Sequence, residues 1–256
     1  MTTFRVLQLN MQYGQRWDPV DPDGAPVDLE ATLAEIRAHG PDLVFLQEVE
    51  QAQTGGVQLD PPPNYSRIRA ALGDYDGYFS YPRPDPRELP FGIGLAILSR
   101  TPLESAFRLD LPSPPVEFAF QGETKTPTDR ILIGARTRLC GREVALFNTH
   151  LLAFFMLNSS SEIHGSQRAI IADQLRQVTG PALLAGDFNV SRHESLLAQF
   201  APLGFASAQT REPTWWRKPF VLDHIFHNAA LRCVGSQVSR SGVSDHHALV
   251  ADFEFV

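Results

Sequence analysis

Cysteine is nearly absent: Cys140 and Cys233 are the two in 256 residues. They stand far apart and outside any CxxC spacing, which excludes a disulfide framework or a cysteine metal knot as the organising device. Long hydrophobic runs are missing as well, and no segment approaches the roughly 20 apolar residues that cross a bilayer. The N-terminal stretch, residues 1–10, lacks the basic start and long apolar centre of an export signal. With so few cysteines, the expectation is a cytoplasmic protein. Positive charge is not in excess either: 22 Lys and Arg face 29 Asp and Glu, for a formal net charge of -7. Such a chain has no general attraction to a phosphate backbone, although a local basic groove is compatible with it. The GxxxxGKS/T loop, the GxSxG elbow and the paired-histidine helix are all absent. Those absences remove P-loop phosphate binding, serine acyl chemistry and the common zinc motifs.

What is present is an ordinary globular composition, 43% hydrophobic and 20% charged, with no linker, so residues 1–256 read as a single domain. Residues 4–10 form a short apolar run that predicts a buried strand. Asp28 caps a helix with Leu29, Leu33 and Ile36 on one face, and His39-Gly40-Pro41 stops it. Residues 42–46 predict a second strand ending in Gln47-Glu48. Residues 51–90 turn to proline, glycine and tyrosine, surface loops around a short helical or extended piece. A strand over 94–99 follows. A hairpin then joins 131–137 to 144–148 through Cys140-Gly141, preceded by a proline-rich edge loop over 113–128. A helix carrying Ile171, Leu175 and Val178 runs to a stop at Gly180-Pro181; a strand over 182–185, a helix over 194–200 and strands over 220–227 and 248–256 complete the pattern. Strands alternating with helices predict a layered α/β protein, sheets face to face and helices outside.

Polar clusters interrupt these apolar runs: Asn10, Gln47-Glu48, Asn148-Thr149-His150, Gly186-Asp187-Phe188-Asn189, Asp223-His224 and Ser244-Asp245-His246-His247. Each follows or lies within a strand, so together they would collect at one end of a sheet. Taken singly, Asp187 and Asn189 would be turn residues bonding local backbone; the ordered series gives them a second meaning. Glu48, Asp187 and Asp245 with Asn10, Asn189, His150 and His246 are mostly oxygen donors. Such a set suits Mg²⁺ or Mn²⁺, which keep several waters and accept phosphate oxygens.

Five of these motifs, Gln47-Glu48, Asn148-Thr149-His150, Gly186-Asp187-Phe188-Asn189, Leu222-Asp223-His224-Ile225-Phe226 and Ser244-Asp245-His246, resemble in order those of the endonuclease/exonuclease/phosphatase superfamily. The resemblance implies a four-layered α/β sandwich, two central mixed or mostly antiparallel β-sheets with helices outside, and an active site at one rim. It implies divalent-metal hydrolysis of a phosphoester by a phosphodiesterase, phosphatase or nuclease. Glu48 would be the principal metal ligand, assisted by Asn10 and Asp245. His246 would be the base, held in its tautomer by Asp223. Asp187 and Asn189 would align the nucleophile and phosphate oxygens, and His150 would donate to a non-bridging oxygen or help the leaving group. Two alternatives stay open: His246 or Asp187 as proton acceptor, and one metal or two. Val221 departs from the arginine or similar polar residue frequent at its position, which puts a substrate or structural contact in question.

Arg130, Arg168, Trp215 and Trp216 are further candidates for substrate binding, against the ordinary alternatives of a solvated residue for Arg130, a surface ion pair for Arg168 and core packing for the tryptophans. His247 and His224 should alternate away from the site. Residues 154–157, Phe-Phe-Met-Leu, read as a small satellite core in preference to an exposed apolar patch. The charge balance favours a small-molecule or lipid phosphoester over DNA, the best basic cluster being Arg211 to Lys218, and no obligate protein partner is implied. Two rivals are a DNA-repair nuclease of the same superfamily and a binding protein that kept the fold and lost the chemistry. The second predicts broken site positions, whereas every position named here is of competent type.

Overall fold

The computed structural model describes residues 3–256; Met1 and Thr2, the start of the N-terminal reading, lie outside them. In chain order the elements are β1 (Thr3–Asn10), α1 (Leu29–His39), β2 (Leu43–Gln51), α2 (Pro63–Ala71), β3 (Asp76–Ser80), β4 (Gly92–Ser99) and β5 (Glu104–Leu111). They continue with β6 (Phe118–Phe120), β7 (Glu123–Lys125), β8 (Arg130–Leu139), β9 (Arg142–His150), α3 (Ser166–Arg176), β10 (Ala182–Asp187) and α4 (Glu194–Phe200). The last strands are β11 (Phe205–Ser207), β12 (Asp223–Asn228), β13 (Leu231–Ser239) and β14 (Ala248–Phe255). One six-stranded sheet has the order β13-β14-β1-β2-β4-β3, the other β11-β12-β10-β9-β8-β5, and β6-β7 is a separate hairpin. Both large sheets are mixed: β1 pairs with β2, and β9 with β10, in parallel, and the other neighbours are antiparallel.

Three apolar clusters separate four layers. Val6, Phe45, Leu146, Ala185, Ile225 and Leu249 belong to a core between the sheets. Leu7, Leu46 and Val250 pack with Leu33 and Ile36 of α1 and Ile68 of α2. Phe147 and Leu184 pack with Ile171 of α3 and Leu196 of α4. The central strands are therefore buried on both faces, which is why they read as continuous apolar runs and not as alternations.

The same period-two geometry builds the site. Along the face turned to the opposite sheet, β1 runs Phe4, Val6, Gln8, Asn10; β2 runs Leu43, Phe45, Gln47; β9 runs Val144, Leu146, Asn148, His150; β10 runs Leu183, Ala185, Asp187. In β12, which is antiparallel to β10, Asp223 stands opposite Asp187 and Ile225 opposite Ala185. Each strand changes from apolar to polar at the same end, so the inter-sheet core opens there into a polar rim.

Local signals explain several boundaries. Asp28 Oδ1 accepts from Ala31 N at 3.2 Å, and Gly40 closes α1 in the left-handed region at φ 56°. Cys140 and Gly141, both at positive φ, make the β8–β9 turn. Other expectations need correction. Helix α3 ends at Arg176, so Val178 packs from the following loop and not from the helix. The loop expected over 113–128 contains the β6–β7 hairpin. Strands β5 and β13 were not expected, because they are edge strands with many exposed residues and carry no apolar run. Strand β2 does not end at Gln47-Glu48 but continues through both to Gln51.

Gly186 shows how tightly the rim is packed. It pairs with Thr149 across β9–β10, its φ is 153°, and a methyl group built on it would lie 2.2 Å from the Thr149 carbonyl oxygen. Gly186→Ala must therefore push β10 from β9 and displace the adjacent Asp187. We expect a loss of about 1–3 kcal/mol, the range for overpacking, measured by urea unfolding; a stability unchanged within about 0.5 kcal/mol would mean that the strands yield freely at this point.

Candidate active site

Glu48 reaches the rim through an irregularity. In a regular strand it would face the helices, opposite to Gln47, but the β2–β4 register shifts between Gln47 and Glu50 and Glu48 adopts φ 50°. A bulge of this kind re-aims one side chain, and a non-glycine residue in the left-handed region is backbone strain held in place by its surroundings. Gly92 of β4 leaves the space: a methyl group there would lie 2.1 Å from Glu48 Oε2 and 2.3 Å from its Cβ.

Asn10 ties the two sheets together. Its Nδ2 donates to Glu48 Oε1 at 2.9 Å and to Asp187 Oδ2 at 3.1 Å. Asp187 also accepts from the backbone and side-chain nitrogens of Asn189, at 2.9 and 3.2 Å, and Asn189 is itself at φ 50°. His150 Nε2 stands 3.5 Å from Asp187 Oδ2 and 3.8 Å from Glu48 Oε1. His246 Nδ1 pairs with Asp223 Oδ2 at 2.8 Å, while its Nε2 faces Asp187 Oδ2 at 3.7 Å. Since a carboxylate accepts, Nδ1 carries the proton of that pair and Nε2 is directed at Asp187. Asp187, Asp223 and His246, all buried, bring ligand-type atoms within 4.8 Å of one another.

Burial makes these groups unusual acids and bases. Desolvation, with the nearby Asp245 charge, raises the Glu48 carboxyl to about 7. Desolvation, with Asp223 beside it, raises Asp187 to about 8 despite the opposing pull of His246. His150 is held well below the ordinary imidazole range by burial, then by Arg130 and His246, and so is neutral. Burial alone would lower His246 too, but Asp223 and Asp187 on its two sides outweigh it and raise its value well above the ordinary one. The rim thus gathers four carboxyl groups, Glu48, Asp187, Asp223 and Asp245, of which burial keeps two, Glu48 and Asp187, unusually reluctant to ionise. Such oxygen donors fit a hard divalent cation, with Glu48, Asp187 and Asp245 at hand to hold it and Asn10 Nδ2 fixing the first two.

The remaining sequence candidates divide. Asp245 is at the rim, accepting from Trp215 Nε1 and Arg217 Nε at 3.1 Å each. Trp215 lies against His246, ring centres 6.1 Å apart; Trp216, farther out, stacks on Trp17 at 6.1 Å and meets His247 edge-on at 4.4 Å. His247 accordingly turns away from His246. Arg130 is brought to the rim, where its charge helps keep His150 neutral and favours the ionised form of Glu48, and its Nε is buried without a hydrogen-bond partner. Arg168 is buried, and donates to Gln199 Oε1, Ser161 Oγ, Ser195 Oγ and the Ser195 carbonyl, bonds that tie α3 to α4 and the loop before α3. His224 lies on the other face of β12, bonded to Ser207 Oγ and packed among Phe188 and Phe226. In the 154–157 segment Phe154 is buried as a satellite core requires, whereas Phe155 packs on Trp215 and Phe220 and Met156 is 61% exposed.

Residues other than the sequence candidates support the rim. Thr214 Oγ1 accepts from the backbone of Leu222 and Asp223, and its carbonyl accepts from His247 N. Ser244 Oγ donates to the Asn10 carbonyl and accepts from His246 N. Gln8 donates to Asp223. A buried glutamine in an apolar strand was the available signal for Gln8; for Thr214 there was none.

Two face-to-face sheets with a rim of buried carboxylates, amides and imidazoles define a phosphoesterase-type α/β sandwich. The chain belongs to the endonuclease/exonuclease/phosphatase family, whose model matches residues 7–246. It is 30% identical over 132 residues to a UPF0294 protein of Vibrio cholerae, a match covering 48% of this chain and 45% of that protein. The chain thus matches about half the length of such curated relatives. Among solved structures it resembles an endonuclease/exonuclease/phosphatase of Beutenbergia cavernae, with TM-score 0.72 and 23% identity over 100% of this chain and 72% of that one. A Bacteroides vulgatus protein described in the same words gives TM-score 0.72 and 18% identity over the full length of both. These two likenesses establish the fold.

Proposed function

We propose that the protein hydrolyses a phosphoester with the aid of Mg²⁺ or Mn²⁺, and that its substrate is a small-molecule or lipid phosphoester in preference to DNA. The observation that carries the reading is the Asp223–His246–Asp187 array beside Glu48: an imidazole oriented at Nδ1, open at Nε2, and flanked by a carboxylate able to share its proton transfer. Glu48, with Asn10 and Asp245, is the proposed seat of the metal, which when bound supplies charge stabilisation to the phosphate oxygens and acidifies bound water. In its neutral form, with Nδ1–H on Asp223, His246 takes the proton of the attacking water at Nε2, and Asp223 holds the imidazolium that results. Asp187, clamped by Asn189 and Asn10, orients that water. Arg130 and neutral His150 donate to the oxygens on which charge accumulates as the new P–O bond forms and the old one breaks. The negative net charge and the Phe155, Trp215 and Phe220 cluster beside His246 support the substrate preference. A cytoplasmic site of action is part of the same proposal; among the described residues no helix is long and apolar enough to cross a membrane.

The test combines turnover with stability. Hydrolysis of a chromogenic phosphodiester should require Mg²⁺ or Mn²⁺, stop with EDTA, and exceed turnover of abasic duplex DNA; a rate indifferent to EDTA would defeat the metal reading, and faster DNA cleavage the substrate reading. Glu48 near 7 and Asp187 near 8 bind protons more tightly folded than unfolded. Their contribution to stability is therefore present below the ordinary carboxylate range and lost as pH rises through about 7 to 8. Mg²⁺ competes for the same oxygens, so the rise in melting temperature it causes should be larger at about pH 9 than at about pH 5. An equal rise at both would place the cation elsewhere.

A further inference from the structure

A continuous chain of side-chain amides crosses between the sheets and ends on Asp223. Asn148 Nδ2 bonds the carbonyl oxygens of Leu46 and Ala96, each at 2.9 Å. Backbone carbonyls only accept, so that atom is the amide nitrogen and Asn148 Oδ1 is an acceptor. Gln47 Nε2 donates to it at 2.7 Å. Gln47 Oε1 is then left to accept, which it does from Gln8 Nε2 at 2.7 Å. The same Gln8 nitrogen donates to Asp223 Oδ1 at 2.8 Å, while Asp223 Oδ2 takes His246 Nδ1. Every orientation in the series follows from the two carbonyls at its far end.

Gln8 is set in this orientation at a cost. Its Oε1 is buried and has no hydrogen-bond partner. Turning the amide over would set that oxygen against two acceptors, Gln47 Oε1 and Asp223 Oδ1, so the orphaned carbonyl is the lesser penalty. A residue kept only to fill space at this point of the inter-sheet core would be a leucine or methionine, as Val6 and Phe45 are apolar on the same face.

We propose that Gln8 is a positioning residue for the reaction: through its bond to Asp223 Oδ1, and with its own orientation set by Gln47 and Asn148, it fixes the rotation of the Asp223 carboxylate and thereby the direction in which His246 Nε2 points. This rests on the hydrolytic reading above. It also gives Gln47 and Asn148, to which no chemical role was assigned within their motifs, a shared task. With Asp223 free to rotate, His246 would lose the fixed Nδ1 bond and spend less time aimed at the space beside Asp187. A tilt of the imidazole affects the chemical step and leaves substrate binding alone.

The test uses Gln8→Met, which keeps the length and bulk of the side chain and removes its donors. Two readouts are taken at one fixed pH. In histidine-¹⁵N-labelled protein without substrate, the low-field His246 Nδ1–H proton seen in the wild type should broaden or vanish in the variant. In turnover, kcat should fall by about tenfold with KM unchanged, the smaller end of losses found for outer-shell partners. Adding Gln47→Met to Gln8→Met should change neither readout further, because Gln47 acts only through Gln8. A folded Gln8→Met protein that retains the Nδ1–H resonance, or that keeps kcat within twofold, overturns the proposal. Should Gln8→Met fail to fold, Gln47→Met alone decides: it should weaken the resonance and lower kcat in the same direction, and an unchanged protein overturns the relay. If the wild type shows no metal-dependent turnover, the hydrolytic reading fails by itself and the resonance still decides whether Gln8 positions the pair.

Discussion

His246→Ala should lower kcat by about 10³-fold, within the 10²–10⁴ range that a positioned acid or base supplies, equivalent to about 4 kcal/mol of transition-state stabilisation. KM should change little, because the imidazole is aimed at Asp187 and the attacking water and not at the substrate's outer parts. Asp223→Asn should come close to the same loss, since the amide can present its N–H to Nδ1 and so select the wrong tautomer. The double variant should be barely worse than His246→Ala, because the two residues act as one unit. Circular dichroism establishes that each variant is folded. A kcat for His246→Ala within about tenfold of wild type would remove His246 as the base and leave Asp187, raised to about 8 by burial, as the acceptor of the proton.

Glu48→Gln should separate stability from metal binding, moving them in opposite directions. The wild-type carboxylate is buried, close to Asp245, and shifted to about 7. Removing its charge relieves desolvation and repulsion, so the metal-free variant should melt above metal-free wild type near pH 8. Its response to Mg²⁺ should nearly disappear, with affinity falling by more than the roughly 10- to 100-fold that loss of an outer-shell partner costs. Gly92→Ala should weaken the response to Mg²⁺ without altering any charge, because the added methyl group would lie 2.1 Å from Glu48 Oε2 and 2.3 Å from its Cβ and force the side chain away. Calorimetric titration with Mg²⁺ checks both. An unchanged affinity in Glu48→Gln would move the metal to the Asp187, Asp223 and His246 cluster, whose ligand atoms already lie within 4.8 Å of each other.

The two variants also define what kind of site this is. His246, Asp223 and Asp187 form an array in which the imidazole is hydrogen-bonded to Asp223 at 2.8 Å through Nδ1 and faces Asp187 at 3.7 Å with Nε2. Glu48 stands apart from that array and is connected to it through the amide of Asn10, with His150 Nε2 lying between Glu48 and Asp187. Proton transfer and charge stabilisation are thus assigned to neighbouring but separable groups, and that separation makes the two experiments independent.

Sequence by itself determined the layers and most of the rim. Apolar runs too short for helices gave the central strands, and the change from Val6 to Asn10, Leu146 to His150 and Ala185 to Asp187 marked one end of them as polar, because period two keeps alternate residues on one face. The capped helix at Asp28 and the Cys140-Gly141 turn were legible for the same reason: their signals are local. Tertiary structure decided the rest, since it depends on partners distant in the chain. Glu48 faces the rim only because β2 bulges against β4 where Gly92 leaves room. Arg168 is an internal strut only because α3 packs near Ser195 and Gln199 of α4. Gln8 meets Asp223 across 215 residues, a contact with no trace in either segment, because a side chain's partner is chosen by the packing of two sheets and not by its neighbours in sequence.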